Sequence, residues 1–229
     1  MPLIVPTTPV GEIVAEKPAR SRVFEHYHID FCCGGKLSLE EACRRRHLDL
    51  RVVQEALLRS DSTAEATTVD PAAMPYDRLI VHIQDTHHAY LKRELPRLER
   101  LIRKVATVHG DSHPWMREIQ EVYRAFATDL LLHIEKEETA LFPAIRALSA
   151  DTQRLRHPIR ALEEEHDHVG AALARMRVLS HDYRPPDDAC NTFRAALDGL
   201  RELEMDMHQH VHKENNILFP RILQLCQSY

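Results

Sequence analysis

Six residues of this chain pair metal-ligand chemistry with helical spacing: His88, His133, Glu137, His166, His210 and Glu214. Imidazoles and carboxylates are poor residues for a hydrocarbon core, because burying either without a partner is costly. A pair of cations would neutralise both glutamates and satisfy the four imidazoles. On a helix, positions i and i+4 share a face one turn apart, so His133/Glu137 and His210/Glu214 can each aim two ligands at one point. Two carboxylates with four imidazoles suit iron better than zinc or manganese.

The H-x-x-x-E spacing alone carries little: with 16 histidines and 20 glutamates in 229 residues, about one or two such pairs arise by chance. An internal repeat carries the signal. HIEKEETALFPAI (133–145) matches HVHKENNILFPRI (210–222) at an offset of 77 residues, and His88 and His166 stand 78 apart in the preceding segments. A helical hairpin thus occurs twice, each copy giving His from one helix and His plus Glu from the next. Two such copies about a pseudo-twofold axis would give each iron about two imidazoles, with both carboxylates bridging.

Four long helices must position these groups, at roughly 76–109, 114–148, 156–181 and 187–226. The breaks between them fall at His109-Gly110-Asp111-Ser112-His113-Pro114 and at Tyr183-Arg184-Pro185-Pro186. Each helix has an apolar stripe at steps of three and four. The first runs through Val81, Gln84, His88, Leu91, Leu95 and Leu98. The second runs through Ile119, Val122, Phe126, Leu130, His133, Glu137, Ala140 and Ala144. The third holds Ile159, Leu162, His166 and Val169, and the fourth Leu203, Met207, His210, Glu214 and Ile217. Four such stripes imply an all-α antiparallel four-helix bundle. His87, His168, His208 and His212 fall off the stripes and read as surface groups or supports of the ligands. His87 competes most closely with its neighbour His88. Glu165, beside His166, is a candidate support for a ligand. The repeated Leu-Phe-Pro reads as packing plus a kink or helix end.

Upstream, residues 1–19 read as a loose lead-in with four prolines. A small helical amino-terminal domain extends to about residue 59, followed by a linker at 60–75 and the bundle at 76–229. Within the small domain a short helix ends near Tyr27. Ser38 and Glu41 form a capping box that opens a second helix, and Asp49 caps a third. Cys32 and Cys33 sit in a glycine-rich turn. They read either as a thiol pair handling iron, sulfur or redox equivalents, or as a tight turn. Cys43, Cys190 and Cys226 read as core or surface thiols.

The net charge of −5 and the lack of a dense basic block argue against a nucleic-acid partner. No apolar run reaches membrane-spanning length, and no signal peptide is legible. Five cysteines without a scaffold pattern fit a reducing compartment, hence a cytoplasmic location.

The bundle resembles the hemerythrin-like group. The turn His28-Ile29-Asp30-Phe31-Cys32-Cys33-Gly34-Gly35-Lys36 resembles the amino-terminal domain of the iron–sulfur cluster repair di-iron proteins, also called the repair-of-iron-centres family. The resemblance covers nearly the whole chain. It implies two non-haem iron ions with an oxo or hydroxo bridge, held by four His and two bridging Glu, at the six positions named above. It also implies a bacterial, cytoplasmic stress protein whose partners are damaged iron–sulfur proteins. The chain departs from the oxygen-carrying hemerythrins, which have a further His where this chain has Gly170 and a longer His-to-Asp spacing where it has His210/Glu214. Reversible oxygen carriage is the poorer reading.

Six protein ligands leave coordination positions open on two irons, which favours release or reactivity over a closed structural role. The leading expectation is donation of iron to a damaged cluster. The enzyme alternative is reduction of nitric oxide to nitrous oxide at the two irons, and the binding-module alternative is a sensor of NO or oxygen, or an iron store. A homodimer is compatible with all of these.

Overall fold

The computed structural model describes residues 4–63, 70–147 and 152–225. Residues 64–69 of the expected linker, residue 148 at the end of the second expected helix, and Cys226 lie outside them. Among the described residues the fold is helical, with one isolated β-bridge between Pro9 and Ser38. No helix among them is long and apolar enough to cross a membrane. The chain divides into two compact units, one of residues 1–80 with 208–229 and one of residues 81–207.

In the first unit, α1 (Val10–Glu16), α2 (Ser21–His26), α3 (Leu39–Arg45) and α4 (Leu50–Thr63) close on a core that includes Ile13, Val14, Phe24, Phe31, Leu39 and Leu57. The helix α1 corrects the expectation of a loose lead-in over 1–19. Val10, Ile13 and Val14, at the i, i+3, i+4 spacing, are all buried, so their burial outweighs the breaking effect of the nearby prolines. Ser38 Oγ accepts from the Glu41 backbone N–H at 3.3 Å, and Asp49 Oδ1 accepts from that of Arg51 at 2.8 Å, as expected of caps. Arg20 is almost fully buried. It is held by Asp61 through two bonds of 2.9 Å and by Glu16 at 2.7 Å.

The segment Tyr76–Ile83 forms α5, which a π-helical turn (Gln84–His88) joins to α6 (Ala89–His109). The next long helix is α7 (Trp115–Lys136), continued by a π-turn (Glu137–Leu141) and α8 (Phe142–Arg146). Then come α9 (Arg156–Leu179) and α10 (Asn191–His212), the latter followed by a π-turn (Lys213–Leu218) and α11 (Phe219–Leu225).

Within residues 81–207, α6, α7, α9 and the first part of α10 make the expected antiparallel four-helix bundle. Its core takes Leu95, Leu98, Tyr123, Phe126, Leu162, Leu173, Phe193 and Leu200, all buried. The Tyr123 hydroxyl donates to the Leu95 carbonyl at 2.9 Å, so the core phenol is satisfied. A Cβ on Gly199 would collide with Leu98; glycine there lets α10 approach α6 closely.

Candidate metal centre

The three π-turns sit at the ligands: His88 ends the first, Glu137 opens the second, and Glu214 lies in the third. A π-turn inserts one residue into the α-helical count and is frequent at functional sites. It moves the apolar stripe by one position. Past Glu137, Leu141 and Ile145 are buried while Ala140 and Ala144 are exposed. Before His88, Ile80 and Ile83 are buried, whereas Val81 is exposed and Gln84 only half-buried. The expected stripe positions Val81, Gln84, Ala140 and Ala144 are therefore corrected by one residue each, for this one reason.

In the unit of residues 81–207 the side chains of His88, His133, Glu137 and His166 converge, with relative exposures of 0%, 1%, 0% and 0%. Glu137 faces two ways: Oε2 lies 3.3 Å from His88 Nε2, and Oε1 lies 3.4 Å from His133 Nε2. His166 Nε2 is 3.0 Å from His133 Nε2. His133, Glu137 and His166 each offer a ligand atom, all within 4.8 Å of one another. Two nitrogens on one cation at about 2.1 Å would stand about 3.0–3.4 Å apart, so the observed spacings are those of neighbouring ligands. A wholly buried carboxylate among imidazoles also calls for positive charge. The residues present therefore fit iron.

Each of two imidazoles is oriented from behind. His88 Nδ1 bonds Glu138 Oε1 at 3.0 Å, and His133 Nδ1 bonds Glu165 Oε2 at 2.9 Å. Lys92 and Lys136 hold these carboxylates in turn, each at 2.6 Å. Burial works to raise both carboxyls, but the lysine and histidine partners prevail and hold them below the ordinary glutamate range. An ionised carboxylate behind Nδ1 fixes the proton there and leaves the Nε2 lone pair for a cation. Glu165 was legible in the sequence as a support. Glu138 was not, because it falls off the apolar stripe and its counterpart in the second copy is Asn215. His87 is buried too, yet turns from these groups to Asp206 Oδ1 at 2.8 Å, which assigns the inward role to His88.

In the other unit, His210 and Glu214 are both fully buried, with His210 Nε2 3.1 Å from Glu214 Oε1. Beside them, Phe31 packs edge-on against the rings of His208 and His212. Burial pulls the His212 imidazole down to about 4, so it is neutral at pH 7. Cys32 and Cys33 follow Phe31. The Asn216 side-chain amide donates to the carbonyls of Phe31 at 3.3 Å and Cys32 at 2.9 Å. Gly11 and Gly35 make room for that side chain, since a Cβ on either would strike it. Hydrogen bonding to Cys33 and burial push the Cys32 thiol well above the ordinary range.

A model of the hemerythrin HHE cation binding domain matches residues 79–222. A second, for the ScdA amino-terminal domain and described as of unknown function, matches residues 7–61. The chain is 34% identical to the iron–sulfur cluster repair protein ScdA of Staphylococcus epidermidis, over 93% of its own length and 96% of that protein's. It is 37% identical to the iron–sulfur cluster repair protein YtfE of Edwardsiella ictaluri, over 94% and 96%.

The chain belongs to the ScdA/YtfE iron–sulfur cluster repair family. A further YtfE, from Dickeya chrysanthemi, is 36% identical over 93% of this chain and 96% of the relative. The cation-binding domain of this ScdA/YtfE chain spans all six candidate ligands, and the amino-terminal match spans the Cys32-Cys33 turn.

Proposed function

We propose that His88, His133, Glu137, His166, His210 and Glu214 together hold two iron ions, with Glu137 and Glu214 as bridges, and that the chain donates iron to damaged iron–sulfur clusters. The observation that carries the reading is Glu137 itself: one oxygen faces His88, the other faces His133, whose Nε2 stands beside that of His166. A buried carboxylate with separate imidazole partners on its two oxygens is arranged for two cations rather than one. The repeat supports the same role for Glu214, which stands where Glu137 stands in the first copy.

Bound iron supplies the cargo and, while it stays, redox equivalents. The side chains do the rest. His88 and His133 keep their Nδ1 protons on Glu138 and Glu165, so that Nε2 binds. The buried glutamates balance charge. Six ligands on two irons leave each incompletely wrapped by protein, which suits a cation that must leave again. In this reading the small domain, expected at 1–59, runs on through α4 to Thr63, the rest of the expected linker 60–75 follows, and 76–229 form the metal-binding bundle. The protein works in the cytoplasm on damaged iron–sulfur proteins such as its relatives are named for repairing, and NO and oxygen are the diatomic gases that reach the irons.

The test is reactivation of a nitric-oxide-damaged iron–sulfur dehydratase by iron-loaded protein under anaerobic conditions. Recovery faster than with equal free ferrous iron and thiol is expected. Recovery no faster than that control overturns the reading.

A further inference from the structure

Asp30, Cys32 and Cys33 each offer a ligand atom, and these lie within 4.8 Å of one another. We propose that this turn is a second metal site: a docking position for one divalent, thiophilic cation of the ferrous or zinc kind, held by Cys32 Sγ, Cys33 Sγ and a carboxylate oxygen of Asp30.

The sulfurs stand 3.9 Å apart. Two thiolates bound at about 2.3 Å to one tetrahedral cation lie about 3.8 Å apart, so the pair already has the bite of a chelate. The same pair is badly placed for a disulfide. Cα atoms of adjacent residues lie about 3.8 Å apart across a trans peptide, below the range of about 4.4–6.8 Å that disulfides prefer. Neither thiol is in a disulfide.

Asp30 Oδ1 lies 3.1 Å from Cys32 Sγ and is fixed by the backbone N–H groups of Cys32 and Cys33, both at 3.0 Å. Cys32 is buried, Cys33 half-buried and Asp30 exposed. A cation therefore enters from the Asp30 side, with Cys32 as the floor of the site and water completing the coordination. The Asn216 amide, seated against Gly11 and Gly35, grips the carbonyls of Phe31 and Cys32. The backbone of the turn is thus fixed by a residue that is not itself a ligand. On binding, two S–H protons leave to solvent and two sulfur–metal bonds form, with no change of oxidation state.

Cobalt(II) titrated anaerobically into the reduced full-length protein tests this. Thiolate ligands give a near-ultraviolet sulfur-to-cobalt charge-transfer band that imidazole and carboxylate cannot give, so the result is independent of whether the histidine–glutamate set holds iron. The final intensity of the band should match one thiolate-bound cobalt per chain and survive Cys190→Ser. Cys32→Ser and Cys33→Ser should each weaken cobalt binding at this band by at least about tenfold. If Cys32→Ser does not fold, Cys33→Ser at the half-buried position decides alone. No band, or a band unchanged in Cys33→Ser, overturns the proposal.

Discussion

The backbone N–H of Phe219 donates to the carbonyl of Glu214, five residues earlier, and that of Phe142 donates in the same way to Glu137. In both copies of the repeat a proline follows at once, Pro143 or Pro220. Proline has no N–H to give and crowds the carbonyl four residues back; the widened turn relieves both problems. The Leu-Phe-Pro motif is thus part of how the glutamate is aimed. The turn ending at His88 has no proline after it, and its cause is not visible in the sequence.

Replacing Pro143 or Pro220 by Ala restores a helical N–H and allows the turn to tighten toward an α-helix. Metal-free stability should hold or rise, while iron affinity should fall about tenfold as the glutamate rotates off its partners. Thermal unfolding of the metal-free protein beside iron titration would show the two effects parting. Affinity unchanged in both variants would break the link between turn and ligand.

Glu137→Ala should lower iron from about two per chain toward one or none, with helicity kept. Metal analysis and Mössbauer spectra after anaerobic purification read this directly. Two irons retained with unaltered spectra would remove Glu137 as the bridge.

Glu138→Gln and Glu165→Gln keep the shape but lose the charge behind His88 and His133. Each should weaken iron binding by about 10–100-fold. Chelator competition measures it. Equal loss in Asp206→Asn, which sits behind His87 instead, would count against this assignment.

The bundle was legible because the apolar stripes of its four helices are long. The burial of His133/Glu137 and His210/Glu214 was legible as a repeat, since chance does not align seven identities over thirteen positions. The one-residue insertions were not. A π-turn leaves no compositional mark beyond the proline, so stepping by three and four ran on to Ala140 and Ala144 where the chain buries Leu141 and Ile145. The lead-in differs from its expected looseness for another reason: burial of Val10, Ile13 and Val14 outweighs the prolines around them.

Asp61 supplies a prediction in pH. Partial burial tends to raise its carboxyl, but Arg20 and Lys17 overrule this and set it below the ordinary aspartate value. A lowered carboxyl stabilises the fold fully above its unfolded value of about 3.9 and loses that contribution as pH falls through the folded value. Asp61→Asn should therefore cost about 2 kcal/mol at pH 7, much of it from the buried Arg20 left poorly paired. The gap to the unsubstituted protein should close as the solution is acidified below pH 4. Urea unfolding across that range checks it, and a gap that stays constant with pH would contradict the assignment.

Thr139 and Asn216 hold equivalent places in the two copies of the repeat. Thr139 faces solvent and bonds only back to the Glu135 carbonyl in its own helix, whereas Asn216 clasps the cysteine turn. The duplicated segments are therefore alike on the side that carries the buried His and Glu and differ on the side of Thr139 and Asn216. The twofold pattern holds where buried imidazole and carboxylate must balance one another, and it lapses where one copy alone has the cysteine turn beside it.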